Sequence, residues 1–288
     1  MNQQQDRYCV VGNPVAHSKS PQIHARFAAL TSQTLRYERC LAPLDGFAQT
    51  LAELMASGVR GCNVTVPFKS QAFHAVPVAR QSARVQLAQA ANTLWFDAAG
   101  IHADNTDGFG LVRDIQTNAG VPLAGLDVLL IGAGGAAAGA LAPLLAAQPR
   151  RLVMTNRTAA RAQALVATHR GHPSQLEALQ KTQLQVQEMS GLQGNFDVII
   201  NASASSLAGA DVPVPASVLK PGALAYDMMY GAAAAPFLDW ALRHGAVPRD
   251  GLGMLVEQAA EAFALWRGLR PPAAQVLAEM RAAQESAT

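Results

Sequence analysis

Short runs of apolar residues alternate along the chain with stretches whose apolar positions recur every three or four residues. Residues 8–11 read as a strand. Residues 21–31 read as a helix with Ile23, Phe27 and Leu30 on one face, and 35–39 as β-like. The spacing of Leu44, Phe47, Leu51 and Leu54 predicts a helix over 43–57, ended by Gly58. A strand follows over 59–66, stopped by Pro67, and then a helix over 78–89. Residues 93–96 and 101–104 flank Asp97-Ala98-Ala99-Gly100 as a hairpin. From Gly108 a second series begins with a helix. Strands are expected at 127–131, 152–155, 184–186, 198–201 and 224–227, with helices at 135–147, 158–169 and 237–244. Two helices, 254–267 and 273–284, close the chain. Strands alternating with helices imply parallel sheets with right-handed crossovers.

Composition narrows the class. Half of the 288 residues are hydrophobic and 15% are charged, enough apolar material for one large domain or two ordinary ones. A net charge of +2 without a lysine or arginine run gives no nucleic-acid footprint. Cys9, Cys40 and Cys62 are odd in number and far apart in sequence, which predicts free thiols and no metal cluster. The polar start of the chain is not a signal peptide, and a cytoplasmic protein is expected. Residues 128–147 carry no charge and have the length of a membrane span. Their four glycines, Pro143 and many alanines fit a strand, a glycine turn and a helix better.

That turn, Gly132-Ala133-Gly134-Gly135-Ala136-Ala137, matches G-x-G-x-x-G/A between a strand and a helix. The first glycine permits the tight turn, and the second lets a pyrophosphate approach the helix N-terminus. An NAD site would place an acid about twenty residues on, at the end of the next strand. Here Asn156-Arg157-Thr158 stands there, with Arg161 one helical turn later. A cation with small polar groups suits a 2′-phosphate, and so NADP. The plainer alternative has Asn156 ending the strand, Thr158 capping the next helix and solvated arginines.

The first half is rich in polar residues at element ends. Ser20-Pro21 reads as a helix N-cap, and Ser18 and Ser20 together also make a carboxylate site. Asn63 and Thr65 share one face of their expected strand, which delivers Lys69 just past its end. Asn92 opens one hairpin arm, and Asp104-Asn105-Thr106-Asp107-Gly108 closes the other. Either aspartate could be a turn residue, and Lys69 a solvated lysine. Gln258 lies beside the apolar stripe Leu255, Ala259, Ala262, Trp266, so it faces inward or is a satisfied core glutamine.

Taken in order, these motifs resemble the shikimate dehydrogenase family over nearly the whole chain. They are Gly12-Asn13-Pro14-Val15-Ala16-His17-Ser18-Lys19-Ser20-Pro21, the segment 63–69, Ala91-Asn92-Thr93, the segment 104–108, the glycine turn, Asn156-Arg157-Thr158, Asp227-Met228-Met229-Tyr230-Gly231, and the segment 251–259. The resemblance implies NADPH-dependent, reversible reduction of 3-dehydroshikimate to shikimate in aromatic amino-acid (chorismate) biosynthesis. It implies that Ser18, Ser20 and Tyr230 hold the substrate carboxylate, and that Asn63, Thr65, Asn92, Asp107 and Gln258 line the rest of the pocket. Lys69 and Asp107 would be the catalytic pair. Gly132, Ala133, Gly134, Gly135 and Ala136 would cradle the pyrophosphate, Asn156, Arg157, Thr158 and Arg161 the 2′-phosphate, and Met228 and Gly251 would border the nicotinamide.

The chain departs from the family pattern in three places: Gln89-Ala90-Ala91, Asn201-Ala202-Ser203-Ala204-Ser205, and Ser82-Ala83 where an acid is usual. Pro143 is expected to kink or shorten the glycine-turn helix. The fold expected is two-domain α/β. Residues 1–107, completed by helices in 251–288, form a substrate-binding and catalytic domain; residues 108–250 form a Rossmann-like NADP-binding domain, with the active site in the cleft between them. The expected partner is a small molecule, the expected state a monomer or homodimer, with no metal. The alternatives are a quinate or aminoshikimate dehydrogenase, a non-catalytic NADP-binding sensor on the same fold, and a membrane-attached protein.

Overall fold

A computed structural model describes residues 5–203, 212 and 214–286. The chain divides into two compact units, Met1–Thr106 with Val256–Thr288, and Asp107–Leu255.

The first unit is built on a five-stranded sheet in the order β2-β1-β3-β4-β5. Strands β1 (Asp6–Gly12), β2 (Leu35–Leu41) and β3 (Val59–Val64) run parallel, and β4 (Thr93–Asp97) and β5 (Gly100–Asp104) form the antiparallel hairpin. Buried residues come from both faces of β1 and β3, as expected for parallel strands covered on both sides. On one face Val11, Val64, Leu94 and Ala103 pack with Phe47 and Phe68. On the other, Tyr8, Val10 and Tyr37 pack with Trp266. The helices are α1 (Ser20–Leu30), α2 (Phe47–Ala56), α3 (Lys69–His74), α4 (Ala83–Ala88) and, at the chain end, α11 (Ala273–Glu285). The division between the units falls inside α10 (Leu252–Arg267).

The second unit opens with α5 (Asp107–Arg113). Its sheet is parallel, in the order β11-β10-β9-β6-β7-β8. The strands are β6 (Asp127–Ile131), β7 (Arg151–Thr155), β8 (Gln183–Val186), β9 (Phe196–Asn201), β10 (Leu219–Asp227) and β11 (Val247–Arg249). Counted within the unit, this is the doubly wound dinucleotide-fold order, which reverses between β6 and β9. Helices α6 (Gly135–Ala146), α7 (Ala159–Gly171), α8 (Leu176–Lys181) and α9 (Ala235–Arg243) cover it. The expected two-domain α/β class with a Rossmann-like parallel sheet is the one found.

Several local expectations are corrected. The helix expected at 43–57 starts only at Phe47, because residues 43–46 close a turn, Gly46 N–H donating to Pro43 C=O at 3.0 Å. The helix expected at 78–89 breaks into a 3₁₀ turn and α4. The Ser82 hydroxyl caps α4 by accepting from Val85 N–H, and Gln89 ends it at φ 49°. β3 ends at Val64, so Thr65 lies beyond the strand rather than on it beside Asn63. Ser20 is not an N-cap: Lys19 holds that place without a side-chain bond, and Ser20 is already helical. Pro143 does not shorten α6, which runs through to Ala146. The three thiols, distant in sequence, come to adjacent strands, with Cys9 and Cys62 in register across β1 and β3. Among the described residues no helix is long and apolar enough to cross a membrane. Ala204 and Ser205 of the departing 201–205 segment lie outside the described residues.

Candidate functional site

In the first unit, a hydrogen-bonded amide–hydroxyl cluster gathers at the ends of β3, β4 and β5. Asn63 is buried on β3, and its Nδ2 donates to Asn92 C=O at 3.2 Å and to Thr93 Oγ1 at 3.1 Å. The Asn92 side chain, just before β4, donates to Thr106 Oγ1 at 3.0 Å and to Gln258 Oε1 at 3.3 Å. Its Oδ1 accepts from Thr106 N–H at 2.8 Å and from Thr93 Oγ1 at 2.9 Å. Gln258, 7% exposed on α10, therefore faces inward and is engaged with Asn92 and Thr106. Buried polar groups that satisfy one another in this way fix a shape.

The loop after β1 adds Ser18, and the first residue of α1 adds Ser20. Ser18 Oγ accepts Ser20 N–H at 3.3 Å, and Arg39 grips Ser18 C=O through Nη2 at 2.7 Å. Thr65 and Lys69 lie on the segment leaving β3. Phe68, fully buried and stacked 5.1 Å from Phe47, anchors it, and Lys69 opens α3 half-buried. Lys69 C=O accepts Ala91 N–H at 2.9 Å, tying this turn to the Asn92 segment.

Asp104 is more than a turn residue. It accepts Asn105 N–H at 2.6 Å and the Ser82 hydroxyl at 2.6 Å, and it pairs with Arg84 Nη2 at 2.6 Å. Burial works against the Arg84 charge, and Asp104 with Glu261 more than offsets it, holding the guanidinium pKa above its ordinary value. This network sets the Asn105-Thr106 corner. Sequence reading missed Arg84, and also Tyr37 and His24, which pack behind Asn63 and Ser20; their partners lie far away along the chain. Asp107, 8% exposed, opens α5 in the second unit.

In the second unit the glycine turn follows β6 at the point where strand order reverses. Gly132 has φ +112°, and a Cβ there would lie 3.0 Å from the Ala202 backbone, so only glycine fits. Above Gly134 and Gly135 an added Cβ would meet nothing within 4 Å, and α6 begins there with its first-turn N–H groups outside the helical ladder. Open space over a helix N-terminus fits a pyrophosphate.

β7 ends at Thr155 without an acid. Asn156 Nδ2 donates to Thr158 C=O at 2.9 Å, which shapes the turn, and Arg157, Thr158 and Arg161 are exposed. Thr158 stands at the N-cap of α7, yet its hydroxyl makes no cap bond and stays available. Asn156 and Arg157 line a cavity of about 560 Å³ with Glu188, Met189 and Ser190. At the end of β10, buried Asp227 accepts from Asn201 Nδ2 at 2.9 Å and from Met229 N–H at 2.8 Å. Gly251 N–H donates to Met229 C=O at 2.8 Å, so Gly251 adjoins the Met228–Met229 turn. Tyr230 follows, half-buried, its phenol pKa raised by burial. Sequence reading singled out Met228 and Gly251 but not the Asn201–Asp227 pair that shapes their turn.

Residues 10–94 match the shikimate dehydrogenase substrate binding domain, 115–209 the shikimate / quinate 5-dehydrogenase family, and 251–281 the shikimate 5'-dehydrogenase C-terminal domain. A shikimate dehydrogenase (NADP(+)) from Acidovorax sp. (strain JS42) is 67% identical over 96% of each chain. Among solved structures, an Ael1 enzyme from Pseudomonas putida is 44% identical with a TM-score of 0.86, covering 96% of this chain and 98% of its own. Shikimate 5-dehydrogenase from Thermus thermophilus, in complex with NADP(H) and shikimate, is 30% identical with a TM-score of 0.81, covering 97% of this chain and 100% of its own. With its amide–hydroxyl cluster, its acid-free dinucleotide turn and these relatives, the chain belongs to the shikimate dehydrogenase family.

Proposed function

We propose that this chain catalyses the NADPH-dependent, reversible reduction of 3-dehydroshikimate to shikimate, in the cytoplasm. One observation carries the reading: the same chain holds a buried amide–hydroxyl cluster suited to a polyhydroxylated ring and a dinucleotide turn whose following strand ends in Asn156-Arg157-Thr158 instead of an acid. On this reading residues 1–107 with 251–288 handle substrate and 108–250 handle cofactor.

Ser18, Ser20 and Tyr230 hold the carboxylate, and Asn63, Thr65, Asn92, Asp107 and Gln258 hold the ring hydroxyls. Bound NADPH supplies the hydride. Gly132 to Ala136 present backbone N–H groups to its pyrophosphate; Asn156, Arg157, Thr158 and Arg161 surround its 2′-phosphate; Met228 and Gly251 border its nicotinamide. As the carbonyl carbon is reduced, negative charge builds on its oxygen. The Lys69 ammonium stabilises that oxygen and donates the proton that makes the hydroxyl, and solvent then reprotonates the amine. In the reverse direction the neutral amine takes the hydroxyl proton. Asp107 is the other member of the catalytic pair.

The test is NADP⁺ reduction followed with shikimate and quinate side by side. Oxidation of shikimate in clear preference to quinate supports the reading. Preference for quinate assigns the paralogous activity, and no turnover with either leaves the cofactor-binding sensor.

A further inference from the structure

Tyr37 takes no part in the roles above, yet its phenol touches two of the proposed substrate residues. Its hydroxyl donates to Asn63 Oδ1 at 2.8 Å, and the Ser20 hydroxyl neighbours the same phenol oxygen. The ring is fixed from behind. His24 lies parallel to it, centroids 4.1 Å apart at 4°, and His24 in turn packs on Phe27, Phe263 and Trp266. His24 is fully buried, and neither ring nitrogen makes a hydrogen bond of good geometry to a described residue, although Asn63 lies close enough to favour its charged form; what it gives Tyr37 is a flat aromatic plate.

The partners of Asn63 dictate which way its amide points. Asn92 C=O can only accept, and Thr93 Oγ1 sends its own proton to Asn92 Oδ1. Both must therefore face the Asn63 NH₂, and both amide hydrogens are spent on them. Tyr37 occupies one lone pair of Oδ1. What Asn63 has left to offer a ligand is one acceptor lone pair.

We propose that Tyr37 is a positioning residue that fixes the Oδ1 side of Asn63, whose amide hydrogens Asn92 and Thr93 already take, so that this corner of the pocket acts as a pure hydrogen-bond acceptor and selects a ring hydroxyl over a keto or ether oxygen. The proposal rests on the shikimate reading above. A tyrosine that merely fills the core, its hydroxyl paired for convenience, would lack this link to substrate affinity.

Tyr37→Phe in the full chain keeps the stack on His24 and removes the donor. Without it, Oδ1 loses its fixed partner, and the amide is held by its two N–H bonds alone. The shikimate KM is expected to rise about five- to twentyfold, the worth of one buried hydrogen bond, while kcat and the NADP⁺ KM stay within about twofold. In an Asn63→Ala background the same substitution is expected to change the shikimate KM by less than about twofold, because coupled residues do not add. An active parent whose shikimate KM is unmoved by Tyr37→Phe overturns the inference, as does an effect that adds in full to Asn63→Ala. A parent that does not oxidise shikimate overturns the functional reading and this inference with it.

Discussion

His24 carries a measurable signature of its own. Burial holds its imidazole pKa down to about 3, against 6.5 for the ordinary group, so the folded protein keeps it neutral. Between those values the unfolded chain binds the proton that the folded chain refuses. Its contribution is fully favourable above the unfolded value and is lost progressively as pH falls toward about 3. Linkage puts the loss at about 2 kcal/mol between neutral pH and about pH 5. Urea unfolding at both pH values checks this, with His24→Phe expected to remove most of that part of the slope. At the start of α1, Lys19 holds the N-cap without a side-chain bond, so Ser20→Ala costs no capping energy. Both Ser18→Ala and Ser20→Ala are expected to raise the shikimate KM with less than about 1 kcal/mol change in stability, the scale of a lost cap. Unchanged KM values would remove both serines from the substrate site.

Helices α5 and α6 meet where α5 tolerates no side chain at Gly108. A Cβ on Gly108 would lie 2.1 Å from Gly139 C=O, and Pro143, four residues after Gly139, has no N–H to give that carbonyl. Gly108→Ala must push the helices apart and is expected to cost about 1–3 kcal/mol, read as a fall in Tm. An unchanged Tm would mean that the crossing yields freely. Elements such as β6, α6 and the hairpin β4–β5 were legible in the sequence because their signals are local: a continuous apolar run, a glycine turn, Asp97 to Gly100. The short α3 and α8 carried too few residues to show a period. The break at Ser82 was hidden because an apolar spacing can bridge a turn that only the Ser82 cap and its bond to Asp104 reveal. The candidate site divides the same way. Asn63, Asn92 and Gln258 were found at strand ends and beside a helix stripe. Tyr37, His24 and Arg84 were missed because their meaning depends on partners brought close only by folding.

At the scale of the whole molecule, the proposed activity needs a cofactor choice and a proton source. The exposed Arg157, Thr158 and Arg161 at the end of β7 predict NADPH over NADH. A charged pairing to phosphate contributes about 1.5–3 kcal/mol, roughly ten- to a hundredfold, so Arg157→Ala should raise the NADPH KM by that order and spare NADH. Equal use of both cofactors by the parent would remove the role given to these arginines. The most direct measurement is kcat for shikimate oxidation at saturating NADP⁺, in the parent and in Lys69→Ala. The account predicts turnover in the parent and a loss of about 10²–10⁴-fold in the variant, with NADP⁺ affinity unchanged. A folded Lys69→Ala that keeps most of its kcat, or a parent without NADP⁺-dependent shikimate oxidation, would contradict it.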